Sequence, residues 1–360
     1  MVFAQPLPAR FRQIGLFACY VLIFFQPFNQ FGALRNISAF VLLVCLIGEL
    51  AIIRPSFKNT TAVRVALALA LWIIISSLIG PYPLDSLNVI RKDFLVQALM
   101  LTAALTYVRT SADIWRVVAV ALAGIGAVTL LSLIEIARYW ALNGFSLWIE
   151  RSHSSFWGGY ASTGAFYLPL LAGWLFVAPK NRVATFFGWA LSIAIFVLIL
   201  LYGSRSPLLS AAIAITILLC LLRKWGALML SLILVISAIA AIQLAQTDNR
   251  FKYDTLFKAQ TYVTNSGLSA RLSVWSGCWQ IIQDRPITGY GYGWKKLAWV
   301  INEGPYAKRW TSSQPDVAAY FLPEGKASYG RVNPHNYALQ VMFEIGIAGF
   351  LLVLLFWGEI

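Results

Sequence analysis

The sequence predicts an all-α, polytopic integral membrane protein, and its composition is the first reason. The chain has 360 residues, of which 59% are hydrophobic and only 12% are charged, whereas soluble proteins carry about 25% charged residues. Aromatic residues make up 14% and suit many helix ends at a membrane interface, where amphipathic rings are favoured. Disordered chains, coiled coils and secreted disulfide scaffolds are therefore excluded.

Long apolar runs are the second reason. A bilayer core of roughly 30 Å takes about 20 apolar residues to cross, and the sequence holds ten such runs. Stretches such as LALALALWIIISSLIG and SLILVISAIAAIQLA are continuously apolar and do not alternate, which excludes a transmembrane barrel. The predicted cores of the spans are 14–31, 37–53, 62–80, 94–108, 114–139, 157–178, 183–201, 207–222, 225–245 and 337–357.

Lys and Arg in the short loops set the predicted orientation. With a cytoplasmic N-terminus, eleven of these cations lie inside and six outside, as the positive-inside rule expects. We therefore predict nine spans in residues 1–245, an extracytoplasmic and mainly helical loop domain in 246–336, and a tenth span in 337–360. The first span lacks a small-residue cleavage site and is predicted to be retained.

The long loop is basic and favours anions. It carries eleven Lys and Arg against six Asp and Glu. Beside a bilayer this charge indicates lipid phosphates or a phosphorylated ligand, and not nucleic acid. The alternative is that the charges form a solvated face. The candidates for phosphate contacts, chosen from charge alone, are Lys295, Lys296, Lys308 and Arg309.

No metal or nucleotide cofactor is predicted. The two histidines, His153 and His335, form no H-E-x-x-H motif and no zinc cluster with cysteine. The glycines of Gly289–Gly293 have the wrong spacing for a dinucleotide loop, and no phosphate-binding P-loop motif exists. Paired carboxylates for glycoside hydrolysis are also not evident.

Three polar segments at outer helix ends are candidates for the functional site. In the first, Ser206 is the predicted N-cap of a helix that has Pro207 at its first position, with Arg205 beside the cap. A guanidinium next to free helix N–H groups suits a phosphate. The alternative is an arginine that reaches the lipid headgroups.

The second segment predicts a helix that lies on the membrane and is ended by Pro286. Arg271 lies in its first turn and Arg285 at its end, so either side chain is a candidate for a phosphate. Four residues share one face of this helix, and its tryptophans are predicted to be interfacial anchors: Leu272, Trp275, Trp279 and Ile282.

The third segment places His335 and Asn336 at the outer edge of the last span. His335 has an ordinary pKa near 6.5, which allows proton exchange near neutrality, and a helix N-terminus favours its neutral form. A purely structural histidine is the alternative. Gly346 and Gly349, three residues apart, predict close packing of another helix.

These residues resemble a known family. The pattern His335-Asn336, nine residues and then Gly346-Ile347-Ala348-Gly349 is similar to the signature of bacterial O-antigen ligases. The turn at Gly203–Ser206 and the segment at Arg271–Gly291 resemble the domain shared by O-antigen ligases and polymerases. The resemblance extends from about Leu198 to the end of the chain.

The resemblance implies a metal-independent, inverting glycosyltransferase of the bacterial inner membrane with a periplasmic active site. The donor would be O-antigen on undecaprenyl pyrophosphate, and the acceptor would be a sugar hydroxyl of lipid A-core. His335 would be the base, Arg205 an essential donor-binding arginine, and either Arg271 or Arg285 a second one, with Ser206, Asn336, Gly346 and Gly349 in support. Family members have about twelve spans, so we expect this chain to be truncated after its tenth.

Three alternatives remain open from the sequence. An O-antigen polymerase or a protein O-oligosaccharyltransferase would use the same donor, and only the acceptor separates them from a ligase. A lipid-carrier transporter would instead place ionisable residues along a path through the membrane. The candidates for such a path are Glu49, Glu135 and Glu344.

Overall fold

The computed structural model describes residues 6–28, 30–53, 61–108, 110–146, 156, 159–178, 181–245, 268–327 and 332–359. Within these ranges the regular structure is helical and no strand occurs. The all-α prediction is confirmed for this part of the chain.

Every predicted span coincides with a helix. A π-helical turn, Ile90–Phe94, follows the short helix that begins at Pro83. The helices are α1 (Pro6–Phe25), α2 (Gly32–Ile53), α3 (Thr61–Ile79), α4 (Pro83–Val89), α5 (Leu95–Tyr107), α6 (Ser111–Asn143), α7 (Tyr160–Val177), α8 (Arg182–Leu201), α9 (Arg205–Leu221), α10 (Trp225–Ala245), α11 (Leu268–Asp284), α12 (Lys296–Glu303), α13 (Tyr306–Ser313), α14 (Pro315–Ala327) and α15 (Tyr337–Gly358).

Six of the described helices are long and apolar enough to cross a membrane: α2, α3, α6, α7, α8 and α15. The structure therefore supports a multi-pass membrane protein. The other four predicted spans coincide with α1, α5, α9 and α10, and their passage through the bilayer stays a prediction.

The chain divides into two compact units, and the first comprises residues 1–54 and 99–258. Within it α1 packs on α2, and α7 packs on α8 and α9. Buried Ile125, Ile195 and Leu198 belong to its largest apolar core. Gly124 lets α6 approach α1 closely, because a Cβ there would lie 2.3 Å from the carbonyl oxygen of Phe24.

The second unit comprises residues 55–98 and 259–360. Here α15 packs against α3, and α11 packs against α14 and α15. Trp310, Phe321 and Ile281 are completely buried in a core that α11 to α14 share. This core explains why α12 and α13 form although each has eight residues, since short helices depend on packing of an apolar face.

α15 is broken inside the membrane-spanning segment. At Gly346 the backbone leaves the helical region, with φ 71° and ψ 179°, so several peptide groups lose their helical partners. The N–H of Tyr290 donates to the carbonyl oxygen of Phe343 at 2.8 Å, and the N–H of Ile347 donates to the carbonyl oxygen of Pro286 at 2.8 Å. The loop of residues 286–293, which we call the plug loop, thereby supplies the missing partners.

Side chains of α3 contact the remaining freed carbonyl groups. Trp72 Nε1 donates to the carbonyl oxygen of Ile345 at 2.8 Å. Ser76 Oγ donates to the carbonyl oxygen of Thr288 in the plug loop at 2.5 Å and lies 3.2 Å from that of Glu344. Irregular backbone is tolerated at membrane depth when protein groups satisfy it in this way.

The predicted close packing of another helix at the two glycines stays a prediction, because the atoms nearest to each of them belong to other groups. A Cβ on Gly346 would lie 1.9 Å from the carbonyl oxygen of Ile287, in the plug loop, and a Cβ on Gly349 would lie 2.5 Å from Ile345 of the same helix. The first glycine therefore admits a loop into the helix break. The atoms nearest to the second belong to its own helix.

Candidate active site at the start of α15

His335 occupies a fixed turn directly before α15. Its backbone is in the left-handed region with φ 50°, and its N–H donates to Asn333 Oδ1 at 2.7 Å. The next residue, Asn336, caps the helix, since its Oδ1 accepts from the N–H of Leu339 at 3.3 Å. Asparagine side chains on both sides therefore define the conformation of His335.

Two further helices hold this turn in place. Trp275 Nε1, in α11, donates to the carbonyl oxygen of Pro334 at 3.1 Å. Tyr320 Oη, in α14, donates to the carbonyl oxygen of Asn333 at 3.3 Å. Trp275 is half-buried against the core, so it anchors the candidate base as well as packing the helix.

The surroundings of His335 favour a neutral imidazole. Although the residue as a whole is exposed, nearby protein groups remove part of the hydration of its imidazole, and this lowers its pKa below the usual value. The positive charge of Arg271 lowers the pKa further. A neutral imidazole accepts protons, so His335 is suited to general-base chemistry near neutral pH.

The two candidate arginines of α11 lie in different surroundings. Arg271 is exposed in the first turn and interacts with His335. Arg285 follows the other end of the helix, about 21 Å further along at 1.5 Å per residue. Its Nη1 donates to the carbonyl oxygen of Ile79 at 3.3 Å, and its guanidinium lies 5.7 Å from the ring centroid of Tyr290. Arg271 is therefore near enough for its charge to act on the candidate base, whereas Arg285 is bound to the last residue of α3.

The first polar segment, in the other unit, needs a correction. α9 begins at Arg205 with Ser204 as its N-cap, so the prediction that Ser206 caps this helix was wrong. Ser206 already lies in the first turn of this helix. Proline is tolerated throughout the first turn, so Pro207 does not have to occupy its first position. A cavity of about 730 Å³ lies between α7 and α9, and Ser204, Ser206 and Pro169 are among its lining residues.

Lys296 was wrongly predicted to be a surface cation. It is 0% exposed, its Nζ lies 3.3 Å from Asp85 Oδ2 in α4, and it donates to the carbonyl oxygen of Tyr292. Burial lowers the pKa of this lysine, and the nearby carboxylates of Asp85 and Glu344 oppose that effect. Lys296 is therefore unavailable for a lipid phosphate, whereas Lys295 is exposed and remains a candidate, as do Lys308 and Arg309, which are exposed as well.

Two of the three transporter candidates, Glu344 and Glu135, make local hydrogen bonds. Glu344 is 6% exposed; its Oε2 accepts from the N–H of Gly293 at 3.1 Å, and its Oε1 accepts from Gln340 Nε2 at 2.9 Å. Glu135 accepts from the N–H of Phe156 at 3.1 Å. Sequence reasoning placed Glu344 only on a transport path, although a carboxylate in an apolar span is in itself a signal of function.

The described residues contain no group of three or more His, Cys, Asp or Glu side chains arranged to hold a metal ion. His153, the other histidine of the sequence, lies outside the described residues. The candidate site in the second unit consists of His335, the groups that fix its turn, and Arg271.

Comparison with known proteins bears on what this site does. Residues 190–354 match the O-antigen ligase family. This range contains α9, α11 and most of α15, and it confirms the resemblance seen in the sequence motifs. The O-antigen ligase of Salmonella typhimurium strain LT2 is 28% identical to the chain over 314 residues, which cover 85% of this chain and 70% of that protein. No solved structure matches the chain.

Proposed function

We propose that the protein is an O-antigen ligase, a glycosyltransferase that moves O-antigen polysaccharide from undecaprenyl pyrophosphate to a sugar hydroxyl of lipid A-core. The match of residues 190–354 to the O-antigen ligase family supports this proposal, as does the similarity to the Salmonella ligase over most of the chain. This activity would serve lipopolysaccharide biosynthesis.

The observation that carries the proposal is the fixed turn of His335, where partial burial and the charge of Arg271 lower the pKa of the imidazole. His335 takes the proton of the acceptor hydroxyl as its oxygen attacks the anomeric carbon of the donor sugar. The bond from that carbon to the pyrophosphate oxygen breaks on the opposite face, which inverts the configuration. Positioned general bases contribute about 10² to 10⁴ to such rates.

The leaving pyrophosphate carries the developing negative charge, and a nearby cation stabilises it. Arg271 is the arginine proposed for this role, since it is exposed and near enough to His335 for its charge to lower the pKa of the imidazole. The family resemblance also assigns donor binding to Arg205, at the first turn of α9, and that assignment stays a prediction. Arg285 is proposed as a structural residue.

The proposed reaction uses no metal, because the donor is already activated and arginines replace a cation. We place it at the periplasmic face of the inner membrane, with the N-terminus in the cytoplasm, from the distribution of Lys and Arg in the short loops. Both substrates are lipid-linked, which suits a site at the edge of the bilayer.

The test is a transfer assay with purified protein in lipid nanodiscs, undecaprenyl-pyrophosphate-linked glycan as donor, and three acceptors offered separately: lipid A-core, a second donor molecule and a pilin peptide. We expect transfer to lipid A-core that persists in excess chelator. Elongation of the donor alone would identify a polymerase, glycosylation of the peptide a protein oligosaccharyltransferase, and no transfer to any acceptor would overturn the proposal.

A further inference from the structure

Glu344 is a buried carboxylate in the segment that carries the candidate base. The segment 337–345, between His335 and the break at Gly346, has the sequence YALQVMFEI and contains no other charged residue. The backbone of a helix does not require such a group, and burying a carboxylate is costly unless it is hydrogen-bonded and paired. An observable role for it is therefore expected.

The carboxylate reaches across to the plug loop. Its Oε2 accepts from the N–H of Gly293 at 3.1 Å, at a residue with φ 114° where a Cβ would lie 3.0 Å from Lys296 Nζ. Lys296 is itself fixed by Asp85 of α4. Glu344 thus joins α15 to the plug loop next to a buried cation.

Because α15 is broken at Gly346, the placement of the segment 337–345 depends on the hydrogen bond between Glu344 and the plug loop. An unbroken helix would hold the segment 337–345 through its own continuing hydrogen bonds, but here the segment ends at a non-helical residue. Its inner end is therefore held by the plug loop and by α3, and its outer end presents His335. Glu344 follows His335 by nine residues, which is about 13 Å along a helix. Because the segment between them is a short helix, a shift at its inner end also moves His335 at its outer end.

We infer that Glu344 is a positioning residue for the transfer reaction: its hydrogen bond to the plug loop sets the placement of the half-helix and, through it, of His335. The inference rests on the proposed function, since it takes His335 to be the base. A misplacement of about 1 Å costs about 10²-fold in rate for a well-oriented reaction, so the effect is measurable even when the protein folds.

The experiment compares Glu344→Ala, Glu344→Gln, His335→Ala and wild type in the transfer assay, with kcat and both KM values expressed per amount of monodisperse protein. Glu359→Ala, at the exposed other end of α15, is the matched control and should behave as wild type. We expect Glu344→Ala to lower kcat by about tenfold or more with both KM values nearly unchanged. Glu344→Gln, which keeps an oxygen for the Gly293 N–H but loses the charge facing Lys296, should fall between it and wild type.

The outcomes separate the two proposals. The positioning role is overturned by a wild-type kcat in Glu344→Ala, or by equal losses of kcat in Glu344→Ala and Glu344→Gln. If His335→Ala is inactive in the same experiment, the proposed base is not affected by that result. An active His335→Ala overturns the base itself. If Glu344→Ala gives no monodisperse protein, the nearly isosteric Glu344→Met, which also removes the acceptor for the Gly293 N–H, decides: a lowered kcat with unchanged KM supports positioning, and a wild-type kcat contradicts it.

Discussion

Gly346 lies directly against the carbonyl oxygen of Ile287, so that a Cβ on the glycine would be 1.9 Å from that oxygen. The two residues come from α15 and from the plug loop, and their approach is what allows the loop to enter the helix break. The backbone of Gly346, with φ 71° and ψ 179°, also lies in a region that only glycine adopts without strain.

Gly346→Ala should therefore sharply reduce the yield of folded protein. The backbone strain alone costs about 1 to 3 kcal/mol, and the clash with Ile287 adds to it. The measurement is the fraction of monodisperse protein after extraction, together with the thermal midpoint. Gly126→Ala is the control, because its Cβ would meet only Leu191 at 3.7 Å; equal behaviour of the two variants would contradict the helix break.

Trp275→Phe should slow transfer without unfolding the protein. It removes the donor that holds the carbonyl oxygen of Pro334 at 3.1 Å and keeps most of the aromatic packing. A hydrogen bond of about 1 kcal/mol corresponds to about a fivefold loss of kcat. Trp279→Phe, at an exposed tryptophan of the same helix, should leave kcat unchanged, and a similar loss in both would count against the anchoring role.

Arg271→Gln should shift the pH profile of kcat/KM. His335 acts as a base only when neutral, so activity falls as the pH drops through its pKa. The charge of Arg271 lowers that pKa, so its removal raises the pKa and moves the acidic limb to higher pH. Arg285→Gln is the matched variant, far along α11, and should leave the limb in place. An acidic limb that does not move in Arg271→Gln would show that this arginine does not act on His335.

Lys296→Met should destabilise the second unit, although the residue resembles a surface cation in the sequence. The substitution leaves Asp85 and the carbonyl oxygen of Tyr292 without the partner they have now, at a cost of about 1 to 3 kcal/mol. The thermal midpoint should fall by several degrees, while Lys295→Met, at the exposed neighbouring residue, should leave it unchanged. A thermal midpoint equal to that of wild type in Lys296→Met would mean that the buried pair of Lys296 and Asp85 makes no net contribution to the stability of the protein.

The helices were largely predictable from the sequence, since apolar runs such as 62–80 and 337–357 coincide with α3 and α15. The helix break was not. The sequence of α15 is apolar apart from Gln340 and Glu344, and only the partners from α3 and the plug loop, which are distant in the chain, reveal why Gly346 leaves the helix. The start of α9 was misplaced by two residues because a serine before a proline is an ambiguous cap signal.

The candidate base was predictable for a chemical reason, because His335 is a titratable group at the edge of a span. The choice between Arg271 and Arg285 was not, since both flank the same helix and only tertiary contacts show that Arg285 meets Ile79. The burial of Lys296 was likewise hidden, because its acceptor Asp85 is 211 residues away.

The most direct test of the central claim is the kcat of His335→Ala in the purified transfer assay with lipid A-core as acceptor. The account predicts a loss of about 10² to 10⁴, with the variant as monodisperse and as thermally stable as wild type and with donor binding retained. Transfer within a few-fold of wild type would contradict the assignment of His335 as the base and, with it, the proposed mechanism.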